Sequence, residues 1–257
     1  DPYAIYARKV LRLKKLDSLA HTPDAPMRGT IVHKVLEQFV KSRIDPADPS
    51  ASDALLAIAR DVLNELCPWP AVRALWFARI ASFVPHFLAE ERKRDAFSTN
   101  VGTEMWGEIT LANLPFTLTG TADRIDKSDD GEALIYDYKT GNPPTPKQQK
   151  VFDKQLLLEA AMVERGGFTA LGPMRTKAAI YIGLGNALKD QPAPLNEESP
   201  DETWARFEGL IGKWMNVKQG YTSRSANELL TFAGDFDHLA RFGEWDETDD
   251  PVPEDLS

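Results

Sequence analysis

The sequence predicts an α/β fold in which a small central mixed sheet is flanked by helices. Three observations carry this expectation. Residues 1–95 hold their apolar positions at helical spacing. From Val101 the period changes to two, as in half-buried strands. After a proline-rich break at residues 141–146, one more helical stretch leads to KAAIYIGLG, a short apolar run suited to a buried strand.

Each element has a local cause. In residues 2–16, Ile5, Val10, Leu11, Leu13 and Leu16 recur at near-helical spacing between Arg8, Lys9, Arg12, Lys14 and Lys15. A helix with a basic face is expected there, either simply solvated or tracking DNA. Pro23 and Pro26 interrupt it, and MRGTIVHKVLEQFVKSRI begins a second helix with the stripe Val32, Val35, Leu36 and Phe39. A loop at 45–53 leads to two more helical runs, ALLAIARDVLNEL and AVRALWFARIASFVPHFLAEERKR. VGTEMWGEITL, LPFTLTGTADRID and EALIYDYKTG read as strands, closed by Gly141, Asn142, Pro143, Pro144 and Pro146. VFDKQLLLEAAMVERGG reads as one helix ending at a glycine pair. Residues 190–201 read as a polar loop, and TWARFEGLIGKWMNVKQGY and ANELLTFAGDFDHLARFGEW as C-terminal helices.

With 257 residues, 42% of them hydrophobic, the chain can bury a substantial core. One domain is expected over 1–245: a mainly helical segment 1–95, a sheet core 96–190 and C-terminal helices 200–245, followed by an acidic mobile tail 246–257. No apolar run approaches a membrane span and no secretory signal is visible, so a soluble cytoplasmic protein with no membrane partner is expected. Because it starts at Asp1 rather than Met, the chain reads as part of a longer polypeptide. Its one cysteine, Cys67, excludes an internal disulfide, an iron–sulfur cluster held by this chain alone and a zinc site of paired cysteines. The net charge of −9 argues against electrostatic wrapping of nucleic acid, although residues 1–20 are locally basic.

The segment GTADRIDKSDDGEALIYDYKTG at 120–141 raises the chemical question. Strand alternation puts Ile135, Asp137 and Lys139 on one face and Leu134, Tyr136 and Tyr138 on the other. A hairpin turning at Asp130 sets Asp123 opposite Asp137 and Ile125 opposite Ile135. Like charges facing across strands destabilise a sheet, and a divalent cation such as Mg²⁺ would give them a reason. Lys139 beside them suits orienting a water or stabilising charge on a phosphate. Two other readings fit the same residues: solvated acids at a sheet rim, or a carboxylate pair for glycoside hydrolysis.

Four ordered motifs across about 130 residues resemble the RecB-like branch of the PD-(D/E)XK nucleases, closest to the C-terminal nuclease domain of AddB-type double-strand-break repair subunits. They are RGTIVHKVLEQF with Gly29 and His33, VGTEMWGEI with Glu104, GTADRID followed by IYDYKTG, and KQLLLEAAM with Gln155 and Leu156. The resemblance implies a restriction-endonuclease-like core with helical extensions and a Mg²⁺ ion, replaceable by Mn²⁺. It implies metal binding by Asp123, Asp137 and the Tyr138 carbonyl, with His33 completing or bordering the site. Gly29, one turn earlier, would permit a close approach. Lys139 would assist the water, Glu104 would neighbour the active site, and Gln155 would position Lys139 or a DNA phosphate.

The implied substrate is single-stranded DNA emerging from a helicase. The implied partners are the remainder of a longer chain and an AddA-type helicase-nuclease subunit; the alternative is a silent scaffold or DNA-end-binding module. Two departures stand out. Glu159 occupies the place of a Tyr frequent in RecB-like chains. Many AddB-type domains hold an iron–sulfur cluster on four cysteines, but here the first such position is Asp1, so no cluster is expected and packing by Tyr3, Tyr6, Trp204 and Trp214 would replace it.

Overall fold

The computed structural model describes residues 1–16, 22–185, 188–224, 233–246, 248–250 and 252. The chain forms two compact units, one of Asp1–His21 with Leu210–Ser257 and one of Thr22–Gly209.

In the first unit the helix expected over residues 2–16 is shorter and tighter. Helix α1 (Pro2–Ile5) is capped by the Asp1 carboxylate, which accepts from the Tyr3 amide, and passes into a π-helical turn, Tyr6–Val10. Arg12 then takes a left-handed φ of 56°, which ends the helix. The basic face is partly neutralised, since Arg8 and Lys15 pair with Asp235 at 2.8 and 2.9 Å. Tyr3, Tyr6, Tyr221 and Trp214 follow one another as an aromatic file with centroid spacings of 6.4, 5.6 and 5.2 Å. Residues 233–245, expected to be helical, form successive turns, while 225–232 and most of the acidic tail lie outside the described residues.

The larger unit begins with helices α2 (Ala25–Ser42), α3 (Ala51–Leu66) and α4 (Pro70–Asp95). Asp24 caps α2 by accepting from the Met27 amide, and Arg43 closes it in the left-handed conformation. Strands β1 (Ser98–Thr110), β2 (Thr117–Ser128) and β3 (Ala133–Lys139) form an antiparallel meander. The chain then crosses through α5 (Pro146–Val151) and α6 (Gln155–Glu164) to β4 (Thr176–Gly183), which runs parallel to β3. A short antiparallel β5 (Asp190–Pro192) completes a mixed sheet in the order β1-β2-β3-β4-β5, and α7 (Pro200–Trp214) follows.

This is the α/β fold with a small mixed sheet and flanking helices that the sequence predicts. Two local differences have clear causes. The single helix expected over 151–167 is broken at residues 152–154, where the Asp153 carboxylate accepts from the Tyr181 hydroxyl at 2.6 Å and fixes the turn. The start of the polar loop at 190–201 is recruited as β5 by backbone pairing with β4. Trp204 packs against Phe207, with ring centroids 5.8 Å apart.

The sheet is covered on both faces. Leu134, Tyr136, Tyr138, Ile182 and Leu184 join the buried faces of α2, α3 and α4 in one core. Ile135 and Tyr181 are buried from the opposite face of their strands, where α6 contributes Leu156, Leu157, Ala160 and Ala161. Among the described residues no helix is long and apolar enough to cross a membrane.

Candidate active site

The β2–β3 register is the one the turn at Asp130 dictates, with Arg124 facing Tyr136 and Ile125 facing Ile135. Its continuation brings Asp123 to the level of Asp137, where the ladder gives way to side chains. The Asp123 carboxylate accepts the Tyr138 amide at 2.8 Å, taking the bond a strand partner would otherwise make. Its other oxygen lies 3.3 Å from His33 Nδ1.

His33 reaches the hairpin from α2, and its Nε2–H donates to the Tyr138 carbonyl at 2.7 Å. Since a carbonyl can only accept, Nδ1 is the ring nitrogen left facing Asp123. Burial by itself lowers the pKa of this imidazole, but Asp123, with smaller help from Asp137 and the Tyr138 carbonyl, leaves it raised. Gly29 is not needed for this approach: a methyl there would meet Thr140 Oγ1 at 3.8 Å, an ordinary contact.

Glu104 completes a compact group. Ligand atoms of His33, Glu104 and Asp123 all lie within 4.8 Å of one another, close enough to share one cation. Glu104 sits between the Thr103–Arg124 and Met105–Ala122 pairs and holds φ at 48°, a strained value for a non-glycine residue within a strand. Partial burial and the charge of Asp123 raise its pKa, so the two carboxylates resist sharing this space until a cation joins them.

Asp137 anchors a second, adjoining group. Gln155, at the start of α6, donates through Nε2 to Asp137 at 2.6 Å and to Glu159 at 3.1 Å, and accepts through Oε1 from Lys139 at 3.0 Å. The Lys139 ammonium also lies 2.8 Å from Asp137 Oδ2, and 5.2 Å above the Tyr181 ring centre. Asp137 is 2% exposed, and its carboxyl is pushed up to about 6 by burial and by the charge of Asp123, with Lys139 opposing. Oδ2 makes no hydrogen bond despite its burial.

Glu159 is part of this group, although the sequence marks it only as a departure from a family pattern. One helical turn beyond Gln155 it is also buried, and its pKa is pushed up to about 8 by burial and then by the charge of Asp137. The native protein therefore holds a proton that the unfolded chain, at the ordinary value of 4.5, has lost. That contribution favours folding less as the pH rises between these two values. Glu159→Gln is expected to flatten the fall in stability of the metal-free protein by up to about 1.4 kcal/mol per pH unit. Urea midpoints measured in chelator across this window check it; a slope left unchanged would place the proton elsewhere.

The fold thus gathers His33, Glu104, Asp123, Asp137, Lys139 and Gln155 around the end of one hairpin, in two groups bridged by the β3 backbone. The Tyr138 carbonyl is engaged by His33. Hard carboxylate oxygens, one imidazole nitrogen and an unpartnered buried oxygen fit a divalent cation of the Mg²⁺ or Mn²⁺ type.

A mixed α/β core with acids and a lysine on its central hairpin defines a nuclease-type enzyme. The chain belongs to the PD-(D/E)XK nuclease superfamily, whose family model matches residues 2–230. Among curated proteins it is similar to the uncharacterized protein RC0550 of Rickettsia conorii, 30% identical over 176 residues, covering 66% of this chain and 21% of that one. It is likewise 30% identical over 177 residues to the uncharacterized protein RT0391 of Rickettsia typhi, covering 65% and 20%. The chain spans about a fifth of the length of these relatives. The crystal structure of SSO0001 aligns over 77% of this chain and 84% of its own at 16% identity, with a TM-score of only 0.30.

Proposed function

We propose that the chain is a Mg²⁺-dependent deoxyribonuclease unit that cuts single-stranded DNA, in the manner of the AddB-type nuclease domains whose motifs it resembles. The observation that carries this reading is the meeting of His33, Glu104 and Asp123 within cation-sharing distance, beside the Asp137–Lys139–Gln155 group. A carboxylate pair for glycoside hydrolysis needs neither the lysine nor the imidazole.

Asp123, Asp137 and Glu104, with His33 Nδ1, would hold the cation. When bound, it would polarise the phosphoryl oxygen and lower the pKa of the attacking water. The protein's own part is positional. Gln155 fixes Lys139 by accepting from it and fixes Asp137 by donating to it, so the ammonium stays at the edge of the metal-binding oxygens. From there Lys139 can orient the water and offset the negative charge that builds on the phosphate. His33 holds the Tyr138 carbonyl, and Asp123 the Tyr138 amide, which locks the backbone between the two acids.

The wider setting is an AddA-type helicase-nuclease partner acting in double-strand-break repair within the bacterial cytoplasm. The ordered motif set supports it, as does the much greater length of the Rickettsia relatives. A strand fed through such an assembly would also suit a chain of net charge −9, because affinity for DNA need not reside in this unit alone.

The test couples metal to fold and to cleavage. Saturating Mg²⁺ is expected to raise the Tm of the wild-type chain, by mass action on the native state. Asp123→Ala should lose that rise along with cleavage of a single-stranded oligonucleotide. A metal-linked shift that survives Asp123→Ala would remove the site, and cleavage in chelator would remove the metal. A wild-type chain that binds metal but cuts nothing, alone or in its complex, would leave a silent scaffold.

A further inference from the structure

A cavity of about 360 Å³ opens beside the hairpin, within the larger unit. Its floor is apolar, formed by Trp76 and Phe83 of α4, Ile31 and Val32 of α2, and Leu184 just after β4. Two arginines, Arg28 and Arg79, stand in its wall. Among the described residues neither guanidinium forms an ion pair or side-chain hydrogen bond, and no Asp or Glu lines the cavity. In a chain of net charge −9, two unpaired arginines around an acid-free apolar hollow form a local reversal of charge.

The cavity joins the candidate active site through the chain. Thr140, in its wall, directly follows Lys139, and Arg28, Ile31 and Val32 precede His33 on α2. A ligand occupying it would therefore lie next to the phosphate placed at Lys139. The volume falls within the range of small-molecule pockets. An apolar floor with flanking guanidiniums matches a group that is planar and apolar on one side and anionic on the other.

We infer that this cavity is a nucleotide subsite, resting on the nuclease reading above: it takes one nucleoside monophosphate unit of the single strand adjoining the scissile phosphate. The base lies on the apolar floor, and the phosphate is paired by Arg28 and Arg79. Guanidinium forks suit phosphate oxygens, and base burial on apolar and aromatic groups tolerates sequence variation.

The experiment is anisotropy of a labelled 12-nucleotide single strand on the 257-residue chain, with Ca²⁺ replacing Mg²⁺. The double variant Arg28→Ala with Arg79→Ala is expected to weaken binding by about tenfold or more. It should also reduce the slope of log K against log salt by about 1.4, that is about 0.7 for each phosphate lost. Both arginines lie outside the hydrophobic core, and an unchanged Tm would confirm a folded variant. One abasic position moved along the strand should weaken binding about tenfold at a single place.

Unchanged affinity, salt slope and KM in a double variant that still cleaves would overturn the subsite while leaving the nuclease reading intact. Arginine-dependent binding by a wild-type chain that never cleaves would support the subsite and sink the nuclease reading. Uniform tolerance of abasic positions would overturn the base-binding floor, and no binding by the wild type would overturn the subsite outright.

Discussion

Asp137→Asn is expected to slow strand cleavage by about three orders of magnitude, or ~4 kcal/mol in activation free energy, with no loss of stability. The two halves of this expectation share one cause. Burial and the Asp123 charge push the Asp137 carboxyl up to about 6, so above that pH its charge is a cost to the folded, metal-free protein. Asparagine has the same shape and can still accept from Gln155, but it carries no charge. Its amide group would turn a donor toward Lys139, and the anionic oxygen offered to a cation would be gone. The ground-state fold therefore loses little, while the phosphate loses both a metal-binding group and a fixed lysine. Single-turnover cleavage with excess Mg²⁺, together with urea midpoints at neutral pH, separates rate from stability. A rate within about tenfold of wild type would take Asp137 out of the chemistry.

How much of this was legible in the sequence depends on how local its cause is. The hairpin register follows from one turn, SDDGE, and from the alternation around it, so the pairing of Ile125 with Ile135 could be placed by inspection. Helices α2 to α4 follow from apolar periodicity with proline or an acid at their starts. The N-terminal helix was overextended because spacing alone cannot show that Arg12 adopts a left-handed turn. The break before α6 was hidden because it is set by Tyr181, on a strand nearly thirty residues away.

In the site, residue types and order pointed to His33, Glu104, Asp123, Asp137, Lys139 and Gln155, but not to how they divide. Antiparallel logic set Asp123 against Asp137 as a facing pair. The structure instead gives each acid its own neighbours, His33 and Glu104 for one and Lys139 and Gln155 for the other. Glu159 went unassigned because an acid on an amphipathic helix reads as solvated until the depth of α6 is known. Arg124 and Asp126, two apart on one strand face, were a visible signal that hydrophobic pattern reading passed over.

That passed-over pair carries the other large expectation: Arg124→Ala should destabilise the protein by about 3–5 kcal/mol. Arg124 is 1% exposed beneath the catalytic hairpin. It grips Asp126 with two bonds of 2.8 and 2.7 Å, and its other arm donates to Glu91 of α4. Glu91 in turn accepts from Arg94 at 2.6 Å, and Asn100 donates to Asp126 at 3.0 Å. Burial alone would lower the guanidinium pKa, but the surrounding Tyr138, Glu91 and Asp126 raise it above its ordinary value and keep it charged. Deleting it would strand Asp126 and part of Glu91 without their countercharge in the interior, which is costlier than the pair is stabilising.

Lysine should not rescue the loss, since a single ammonium cannot reproduce the two-pronged contact. Replacing Arg124, Asp126 and Glu91 together by apolar side chains of similar volume should recover much of it, because no buried charge of that trio is then left unpaired. Arg124 adjoins Asp123 in sequence, and its guanidinium approaches the Tyr138 hydroxyl at 3.5 Å. The ion network thus pins the two residues whose backbone and carboxylate orient His33. The apolar triple variant should consequently be folded but less active, with kcat reduced more than KM, since the metal-side groups keep their identity and lose their fixed positions. Urea unfolding of the three variants beside steady-state cleavage by the triple variant decides it. Destabilisation of Arg124→Ala below about 1 kcal/mol would show that the network is solvated in practice and holds nothing in place.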